Sequence, residues 1–418
     1  MAKLFFSLKN KKDIFRIVNK ANCREIVFLG LGLSFNVRKH NYKKLINLPI
    51  QNNKIVFTNY AGKSYGCNPK YITEEILRQN LPYEIIWLVT DVEKERENFP
   101  QQVRLVPYYS KKALKELSSA KVIISNNRLN FFWQCGLPKK KEQLYIQTWH
   151  GSLGIKKIEG DIAKESPSWR KWAKVDSSYI DIFTSHSKFE DEHYQESFWY
   201  SGPIVRTNHP RNDIFFIAEN EKIKIKDKVY KYLNIDVNKK IVLYVPTFRD
   251  DGDIKCYDID ADKVINTLNC KFNDDYIFLI RLHPNVNTEN LNLIKNSVNA
   301  TDYPDIQELL FASDIVISDY SSCMFDFMLT RKPVFIYASD IEKYNNERGF
   351  YYPLETTPFS IAQTNDELMK NIENFDNIEY VEKADKFLID FDCTDDGKAS
   401  ENVVKIIKNF VEEGKNGK

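Results

Sequence analysis

The feature that most constrains the fold is the alternation of short apolar runs with helical patterns along most of the chain. The runs are rich in β-branched and aromatic residues and apolar on both faces, which is typical of strands buried in a parallel sheet. Between them lie helical patterns such as 68–79, which Asn68 as N-cap and Pro69 as first helical residue are predicted to open. This alternation predicts α/β layers with helices on both faces of each sheet. The predicted strands are 54–58, 84–89, 122–125, 144–148, 182–185, 241–245, 277–280, 315–318 and 334–337.

The length of 418 residues favours two domains over one. A polar stretch at 207–216 separates the first five predicted strands from the last four, so we place the domain boundary there. The expected divisions are a basic segment 1–50, a first domain 51–208, a second domain 209–390 and a C-terminal helix 391–418.

Charge is distributed unevenly along the chain. The net charge is only +2, which argues against a general nucleic-acid or polyanion binder. Residues 1–50 nevertheless hold eleven Lys or Arg against two acidic residues. Such a segment suits an anionic membrane surface, although a solvated basic face is the alternative interpretation.

The cysteine pattern and the hydropathy indicate the cellular compartment in which the protein works. The seven cysteines are scattered without a CxxC pair, which argues against both a zinc site and a disulfide framework and favours a reducing compartment. The apolar stretch 26–33 is far shorter than the ~20 residues of a membrane span. We therefore expect a cytoplasmic protein, associated peripherally with the inner face of the cell membrane.

A Trp-His-Gly corner ends the predicted strand 144–148. His150 has the side chain whose unperturbed pKa lies nearest neutrality, so it can take a proton from a hydroxyl. Gly151 is expected to let the backbone turn tightly and a substrate approach closely. The corner therefore predicts a general base.

Polar residues also follow three strands of the second domain, where open α/β sheets bind ligands. Arg249, Arg281 and His283 offer hydrogen-bond donors for phosphate oxygens. Ser321 and Ser322 open a short helix whose free N–H groups suit an anion. These residues predict a phosphate site.

The carboxylates near these strand ends are interpreted separately from the predicted phosphate site. Asp319 and Asp326 are expected on one side of this region, where one of them accepts a ribose or polyol hydroxyl. The acidic turn 250–253 is interpreted as a solvated turn rather than a metal site, so no metal ligand is predicted.

A set of short motifs occurs in a fixed order along the chain. The motifs are Gly62-Lys63-Ser64-Tyr65, Asn68-Pro69-Lys70-Tyr71, Gln147-Thr148-Trp149-His150-Gly151, Pro210-Arg211-Asn212-Asp213, Pro246-Thr247-Phe248-Arg249, Arg281-Leu282-His283-Pro284, Asp305-Ile306-Gln307-Glu308-Leu309-Leu310, Ser313-Asp314, Asp319-Tyr320-Ser321-Ser322, Phe325-Asp326, Lys332-Pro333 and Arg348-Gly349. This ordered set resembles the CDP-glycerol glycerophosphotransferase family, which comprises teichoic-acid and capsule polyol-phosphate transferases of bacteria. The resemblance implies a GT-B-like fold, with two Rossmann-like domains facing a cleft: 51–208 for the acceptor and 209–390 for the CDP-polyol donor.

The resemblance also implies roles for particular residues. His150 matches the proposed catalytic base, and His283 is expected to stabilise charge in catalysis. His209 lies where the family varies and receives no role. The expected donor-binding residues are Arg249, Arg281, His283, Asp319, Ser321, Ser322 and Asp326, and the expected acceptor-binding residues are Gly62, Lys63, Gly151 and Arg211.

The expected reaction is transfer of glycerol phosphate from CDP-glycerol to a hydroxyl of a lipid-linked polyol-phosphate or glycan acceptor, with release of CMP and without a cofactor. The alternatives are a CDP-ribitol transferase, a GT-B glycosyltransferase that uses a nucleotide-sugar, and a non-catalytic polymer-binding protein. The sequence leaves the oligomeric state open. The aromatic stretches 131–133 and 169–172 are candidates for membrane contact, with ordinary half-buried aromatics as the alternative.

Overall fold

The computed structural model describes residues 15–416 except for 21–22, 29–30, 37–42, 163–165, 250–251, 253, 284–285 and 287–293. The strands of the described residues form one three-stranded, one seven-stranded and one six-stranded sheet. The two larger sheets are parallel throughout. The chain therefore has the α/β layers that the sequence pattern predicts, in the GT-B-like arrangement of two Rossmann-like domains that the family resemblance implies.

The small sheet lies within the basic N-terminal segment, where the sequence predicted no strand. Its strands are antiparallel and follow one another along the chain, in the order β1-β2-β3. Their bounds are β1 Phe15–Lys20, β2 Cys23–Phe28 and β3 Leu31–Asn36.

The seven-stranded sheet forms the first domain, with the order β10-β9-β8-β7-β4-β5-β6. Side chains alternate between its two faces, so Val56 and Ile86 enter one apolar core while Ile55 and Ile85 enter another. Five of the predicted strands fall in this sheet. The bounds are β4 Gln51–Thr58, β5 Glu84–Val89, β6 Arg104–Pro107, β7 Ala120–Ser125, β8 Leu144–Gln147, β9 Ile182–Ser185 and β10 Ile204–Arg206.

The six-stranded sheet forms the second domain, with the order β13-β12-β11-β14-β15-β16. It is also covered on both faces, since Ile241 and Leu243 enter one core and Val242 and Tyr244 the other. The four remaining predicted strands fall here. The bounds are β11 Lys240–Val245, β12 Tyr276–Ile280, β13 Val298–Asn299, β14 Ile315–Ser318, β15 Val334–Tyr337 and β16 Ser360–Ala362.

Helices connect the parallel strands and cover the sheets. Those of the first domain are α1 Lys43–Ile46, α2 Cys67–Arg78, α3 Val92–Glu95, α4 Lys111–Ser119, α5 Asn130–Gln134, α6 Pro167–Tyr179 and α7 Lys188–Ser197. Those that follow are α8 Glu219–Leu233, α9 Ala261–Phe272, α10 Ile306–Ala312, α11 Cys323–Met328, α12 Ile341–Arg348, α13 Asn365–Glu373, α14 Asn377–Asp390 and α15 Ala399–Asn416.

The predicted N-cap of α2 is wrong. The cap position belongs to Gly66, which has extended backbone, and no side chain caps this end. Asn68 lies inside the helix with its side chain buried, and its amide donates to the carbonyls of Thr148 and Trp149 at 3.2 and 3.1 Å. The asparagine therefore ties α2 to the loop after β8 instead of starting the helix.

The last helix returns to the first domain. Val403, Val404, Ile407 and Val411 of α15 are buried in the core that also contains Ile72 of α2. The C-terminal helix thus covers one face of the seven-stranded sheet, although the segment before it packs with the second domain.

A buried ionic cluster joins the two domains at α2 and α10. Lys70 Nζ lies 2.8 Å from Asp305 Oδ2 and 2.6 Å from Glu308 Oε1. Tyr71 donates a further hydrogen bond to Asp305 at 3.0 Å. Lys228 reaches the same Glu308 at 2.7 Å, but 61% of its side chain is exposed. The matched motifs around Lys70 and Asp305 therefore meet in an interdomain contact.

Lys70→Met is expected to destabilise the protein by about 3–5 kcal/mol, because it leaves two buried carboxylates without their shared cation. Lys228→Met is the matched control, since exposed ion pairs contribute only about 0–1 kcal/mol. Urea unfolding followed by tryptophan fluorescence measures both variants. Equal, small losses for the two would show that the buried position of Lys70 does not matter.

Candidate active site

Each large sheet has a switch point, where the strand order reverses and ligands bind beyond the carboxyl ends of the strands. In the first sheet this point lies between β4 and β7, and in the second between β11 and β14. Asn126, after β7, donates to Asn59 Oδ1, after β4, at 2.5 Å. In the second sheet the Thr247 N–H donates to Asp319 at 2.8 Å. Polar residues therefore bridge both switch points.

His150 lies beside the switch point of the first sheet. Its Nδ1 lies 2.7 Å from the Asn126 carbonyl oxygen, so Nδ1 carries the proton and donates it to that oxygen. The neutral ring then keeps its lone pair on Nε2. The rings of Trp149 and Tyr60 flank the imidazole at centroid distances of 4.0 and 5.1 Å. The ring is thus held in one orientation and one tautomer.

The backbone of this corner differs from the sequence expectation. Trp149, not Gly151, adopts the left-handed conformation, with φ of 50°. Its N–H donates to Gln147 Oε1 at 3.0 Å. Gly151 is required for space, because a Cβ there would lie 3.3 Å from Trp149 Nε1. The glycine therefore permits close packing of the Trp149 ring under the turn.

The electrostatic environment keeps His150 uncharged. Burial is the largest cause, and Arg211, Lys156 and His283 act in the same direction, while the Asn126 carbonyl opposes them; together they lower the pKa of His150 to about 4. An imidazole that is neutral at physiological pH can accept a proton. The protonation state therefore fits the predicted general base.

His283 belongs to the second domain and lies three residues beyond the end of β12. Its side chain is exposed, and its ring packs near Phe248 at a centroid distance of 5.7 Å. Partial loss of hydration, followed by the positive charges of Lys156, Lys63 and Arg281, lowers the pKa of His283 to about 4. His283 in turn contributes to lowering the pKa of His150, so the two predicted catalytic histidines are close enough to influence each other electrostatically.

Lys156 is a site residue to which the sequence assigned no role. Its backbone pairs with Phe350 of the second domain, and the neighbouring Lys157 N–H donates to the Gly349 carbonyl at 3.0 Å. Burial and the charge of Arg348 lower the pKa of Lys156 to about 8, against the opposing effect of Asp319. The signal in the sequence was the Lys156-Lys157 pair just after the histidine corner.

Ser321 and Ser322 follow β14 and are half-buried. The Cys323 N–H lies 3.5 Å from Ser321 Oγ, and Ser322 is the N-cap of α11 without a side-chain capping bond. A Cβ on Gly154 would lie 3.8 Å from Ser322 Cβ, so the loop after His150 approaches this helix end. The two serines therefore lie on the same cleft as the histidines.

Arg249 and Asp319 lie below the cleft surface. The Arg249 guanidinium contacts Asp319 at 2.9 Å and Asp340 at 2.7 Å, and donates to the Thr247 carbonyl at 2.6 Å. It lies between the rings of Tyr320 and Tyr344, at 5.0 and 4.9 Å from their centroids. Protein groups thus surround the Arg249 guanidinium. This environment does not fit the predicted direct contact of Arg249 with a donor phosphate.

Arg211 and Asp326 form a second buried ion pair. Arg211 Nε and Nη2 donate to the two Asp326 oxygens at 2.9 and 3.0 Å, and Nη2 also donates to the Gly151 carbonyl at 3.0 Å. The Arg211 N–H donates to Asn68 Oδ1 at 3.1 Å. This pair therefore connects α11 of the second domain to the histidine corner of the first.

The remaining predicted site residues differ in exposure. Gly62 is buried with φ of +90°, and a Cβ there would lie 3.1 Å from the Thr90 nitrogen, so its role is in the turn after β4. Lys63 is exposed and close enough to influence His283. Arg281 donates to the Tyr303 carbonyl at 2.5 Å. The acidic residues of the 250–253 turn lie outside the described residues.

The two aromatic stretches that were candidates for membrane contact differ in their burial. Phe132 and Trp133 are buried in the first-domain core, so a membrane role for them is wrong. Trp133 donates to Asp176 at 2.6 Å, which explains how its indole is accommodated there. Trp169 is half-buried and packs near Trp199.

Among the described residues, the helices are too short or too polar to span a membrane.

Two α/β domains, each built on a parallel sheet with histidines and cations after its strands, define the GT-B-like fold class. The sequence matches the family described as CDP-glycerol:poly(glycerophosphate) glycerophosphotransferase over residues 41–409. The chain therefore belongs to this family.

Individual relatives agree with this assignment. The chain is 32% identical over 385 residues to the teichoic acid glycerol-phosphate transferase of Staphylococcus aureus, covering 88% of this chain and 95% of that protein. It is 30% identical over 405 residues to the teichoic acid poly(glycerol phosphate) polymerase of Staphylococcus epidermidis. That alignment covers 90% of this chain but 54% of the relative, so the chain spans about half of that polymerase.

Comparison of structures gives the same result. A solved structure of the wall teichoic acid polymerase TagF is similar with a TM-score of 0.76 and 29% sequence identity. The match covers 90% of this chain and 95% of that one.

The sequence is also similar to a ribitol-phosphate primase from Bacillus spizizenii, at 27% identity over 384 residues.

Proposed function

We propose that this protein transfers glycerol phosphate from CDP-glycerol to a hydroxyl of a teichoic-acid or capsule-type acceptor and releases CMP. The observation that carries the proposal is the convergence of a neutral, oriented His150 with His283 and Lys156 at one interdomain cleft. Family membership supports the donor class. The names of the relatives support a teichoic-acid acceptor.

In the proposed mechanism, His150 acts as the general base. Its Nε2 accepts the proton of the acceptor hydroxyl while the hydroxyl oxygen attacks the β-phosphorus of the donor. A phosphodiester bond forms, the bond to the CMP phosphate breaks, and CMP leaves with the electron pair. The Asn126 carbonyl stabilises the imidazolium that results, because it already holds the Nδ1 proton.

The donor pyrophosphate is proposed to lie between Lys156, His283 and the serines that precede α11. Lys156 is held among other cations that lower its pKa, so an added phosphate would relieve their mutual repulsion and favour the charged amine. Ser321 and Ser322 supply hydroxyl donors at the helix end, and Lys63 and Arg281 add positive charge at the rim. Phosphoryl transfer requires such positioning and charge stabilisation.

The buried arginines are proposed to position the site. Arg249 fixes Asp319 and the Thr247 loop at the second switch point, and Arg211 fixes the Gly151 carbonyl against Asp326. Removing either guanidinium would shift residues that line the cleft. It would not remove a direct contact with the substrate. The chemistry has no step that requires a cofactor.

A CDP-ribitol donor is the second candidate, which the similarity to a ribitol-phosphate primase supports.

We further propose that the acceptor is lipid-linked and that the protein works at the inner face of the bacterial cell membrane. The basic residues of segment 1–50 support this location.

His150→Ala is expected to lower the rate of CMP release from CDP-glycerol by about 10²–10⁴-fold, the usual effect of losing a general base. His193→Ala is the matched control. His193 is half-buried on α7, and its Nδ1 is hydrogen-bonded to the Phe189 carbonyl, outside the proposed active site. Wild-type protein is also expected to keep its rate as the pH falls from 7 to 6, a range below the pKa of Lys156. Protonation blocks the base, and a pKa of about 4 places that loss at lower pH.

Turnover by His150→Ala within a fewfold of the control would remove His150 from the mechanism. A wild-type rate that instead falls with a midpoint near 6.5, the ordinary histidine pKa, would contradict the described environment of the ring.

Binding to anionic vesicles is expected to be strong at low salt and to fade as salt screens the charges. The reason is the excess of Lys and Arg in residues 1–50. Cosedimentation with vesicles of phosphatidylglycerol, compared with phosphatidylcholine alone, measures the effect. A variant with Lys3, Lys9, Lys11 and Lys12 changed to Gln should bind less, while equal binding to both lipids at every salt concentration would contradict the electrostatic account.

A further inference from the structure

Two buried histidines and a glutamate converge at a place that the proposed reaction does not use. His186 directly follows β9, Glu190 lies in the first turn of α7, and His209 precedes the 3₁₀ helix Pro210–Phe216. Their exposed fractions are 2%, 0% and 0%. One potential ligand atom from each residue lies within 4.8 Å of the other two.

The distances within this cluster suit coordination of a small cation. Glu190 Oε1 lies 3.0 Å from His209 Nε2 and 3.7 Å from His186 Nε2. Ligand atoms around a tetrahedral zinc ion with ordinary bond lengths lie about 3.3 Å apart. The observed spacings fall on either side of that value, so small side-chain rotations would complete the geometry.

The hydrogen bonding of the two rings is incomplete. His186 Nε2 and His209 Nδ1 are buried and have no hydrogen-bond partner in the described part of the chain. Buried polar atoms normally have one. On its other side, His186 Nδ1 lies 3.1 Å from Asp395 Oδ2. When Nδ1 donates to Asp395, the Nε2 lone pair of a neutral ring faces the Glu190 carboxylate, and either a proton on Nε2 or a bound cation would relieve that contact.

The surrounding charges agree with this arrangement. Glu190 Oε1 lies beside both imidazole rings, at 3.0 Å from His209 Nε2 and 3.7 Å from His186 Nε2. The Glu190 carboxylate is also oriented, because Oε2 accepts the His186 backbone N–H at 2.8 Å. Asp395 brings a second carboxylate to the same buried region. A divalent cation would balance the two negative charges.

We propose that His186, Glu190 and His209 bind a divalent transition-metal ion, and that Asp395 orients His186 from outside the coordination sphere. Two imidazole nitrogens and one carboxylate oxygen are a ligand set that suits zinc. A carboxylate on the far nitrogen of a metal-bound histidine is the usual supporting contact. Since Asp395 lies between α14 and α15, the ion would secure the returning C-terminal segment to the ends of β9 and β10.

The first experiment measures metal in the wild-type protein. The full chain, expressed without a polyhistidine tag and purified without chelator, is analysed by plasma mass spectrometry. We expect about one zinc ion per chain. After the metal is stripped by chelator in mild denaturant and the protein is refolded, added zinc should raise the melting temperature, and added cobalt should give tetrahedral visible absorption bands.

Variants then test the ligands. His186→Ala and Glu190→Gln should abolish stoichiometric zinc, whereas His193→Ala, on the same helix but outside the cluster, should retain it. Asp395→Asn should weaken zinc binding by about 10–100-fold, the usual effect of losing such a supporting contact. Because Asp395→Asn keeps the metal ligands, it tests the site even if His186→Ala does not fold.

The proposal is overturned if the wild-type protein contains no metal and zinc neither binds it nor changes its melting temperature. It is also overturned if His193→Ala loses the metal as fully as His186→Ala, since binding would then reflect scattered surface histidines. None of these measurements depends on transferase activity.

Discussion

The buried ion pair between Arg211 and Asp326 is the interaction on which the arrangement of the cleft depends. The aspartate belongs to a helix of the second domain, and the arginine also donates to the Gly151 carbonyl in the histidine corner. Both charges are buried, so each needs the other to offset its lost hydration. A shift of one domain against the other would break the hydrogen bond from Arg211 to the Gly151 carbonyl, next to the proposed base.

The same pair affects the chemistry as well as the geometry. The positive charge of Arg211 is one of the causes that keep His150 neutral, together with burial, Lys156 and His283. The same cations thus keep the imidazole neutral, with its Nε2 lone pair available. In the proposed reaction the anionic donor would offset these charges, so donor binding and the basicity of His150 are coupled.

Much of the fold was predictable because buried parallel strands have a strong local signal. The predicted strand 241–245 differs from the observed Lys240–Val245 by one residue. The role of Asn68 was not predictable, since its partners Thr148 and Trp149 lie far along the chain. The burial of Arg249 was likewise hidden, because sequence shows that an arginine follows a strand but not that Asp319 and Asp340 surround it. The sequence did predict that His150 and His283 follow strands, and the structure has β8 and β12 ending shortly before them, where α/β sheets carry ligand sites.

The most direct test of the account is a donor panel with one acceptor that carries a terminal polyol phosphate. CDP-glycerol, CDP-ribitol and nucleotide-sugars are each incubated with the full chain, and mass spectrometry identifies both the released nucleotide and the extended acceptor. The account predicts release of CMP and addition of one polyol-phosphate unit, with CDP-glycerol preferred. Release of a nucleoside diphosphate with sugar transfer, and no reaction with either CDP-polyol, would contradict it.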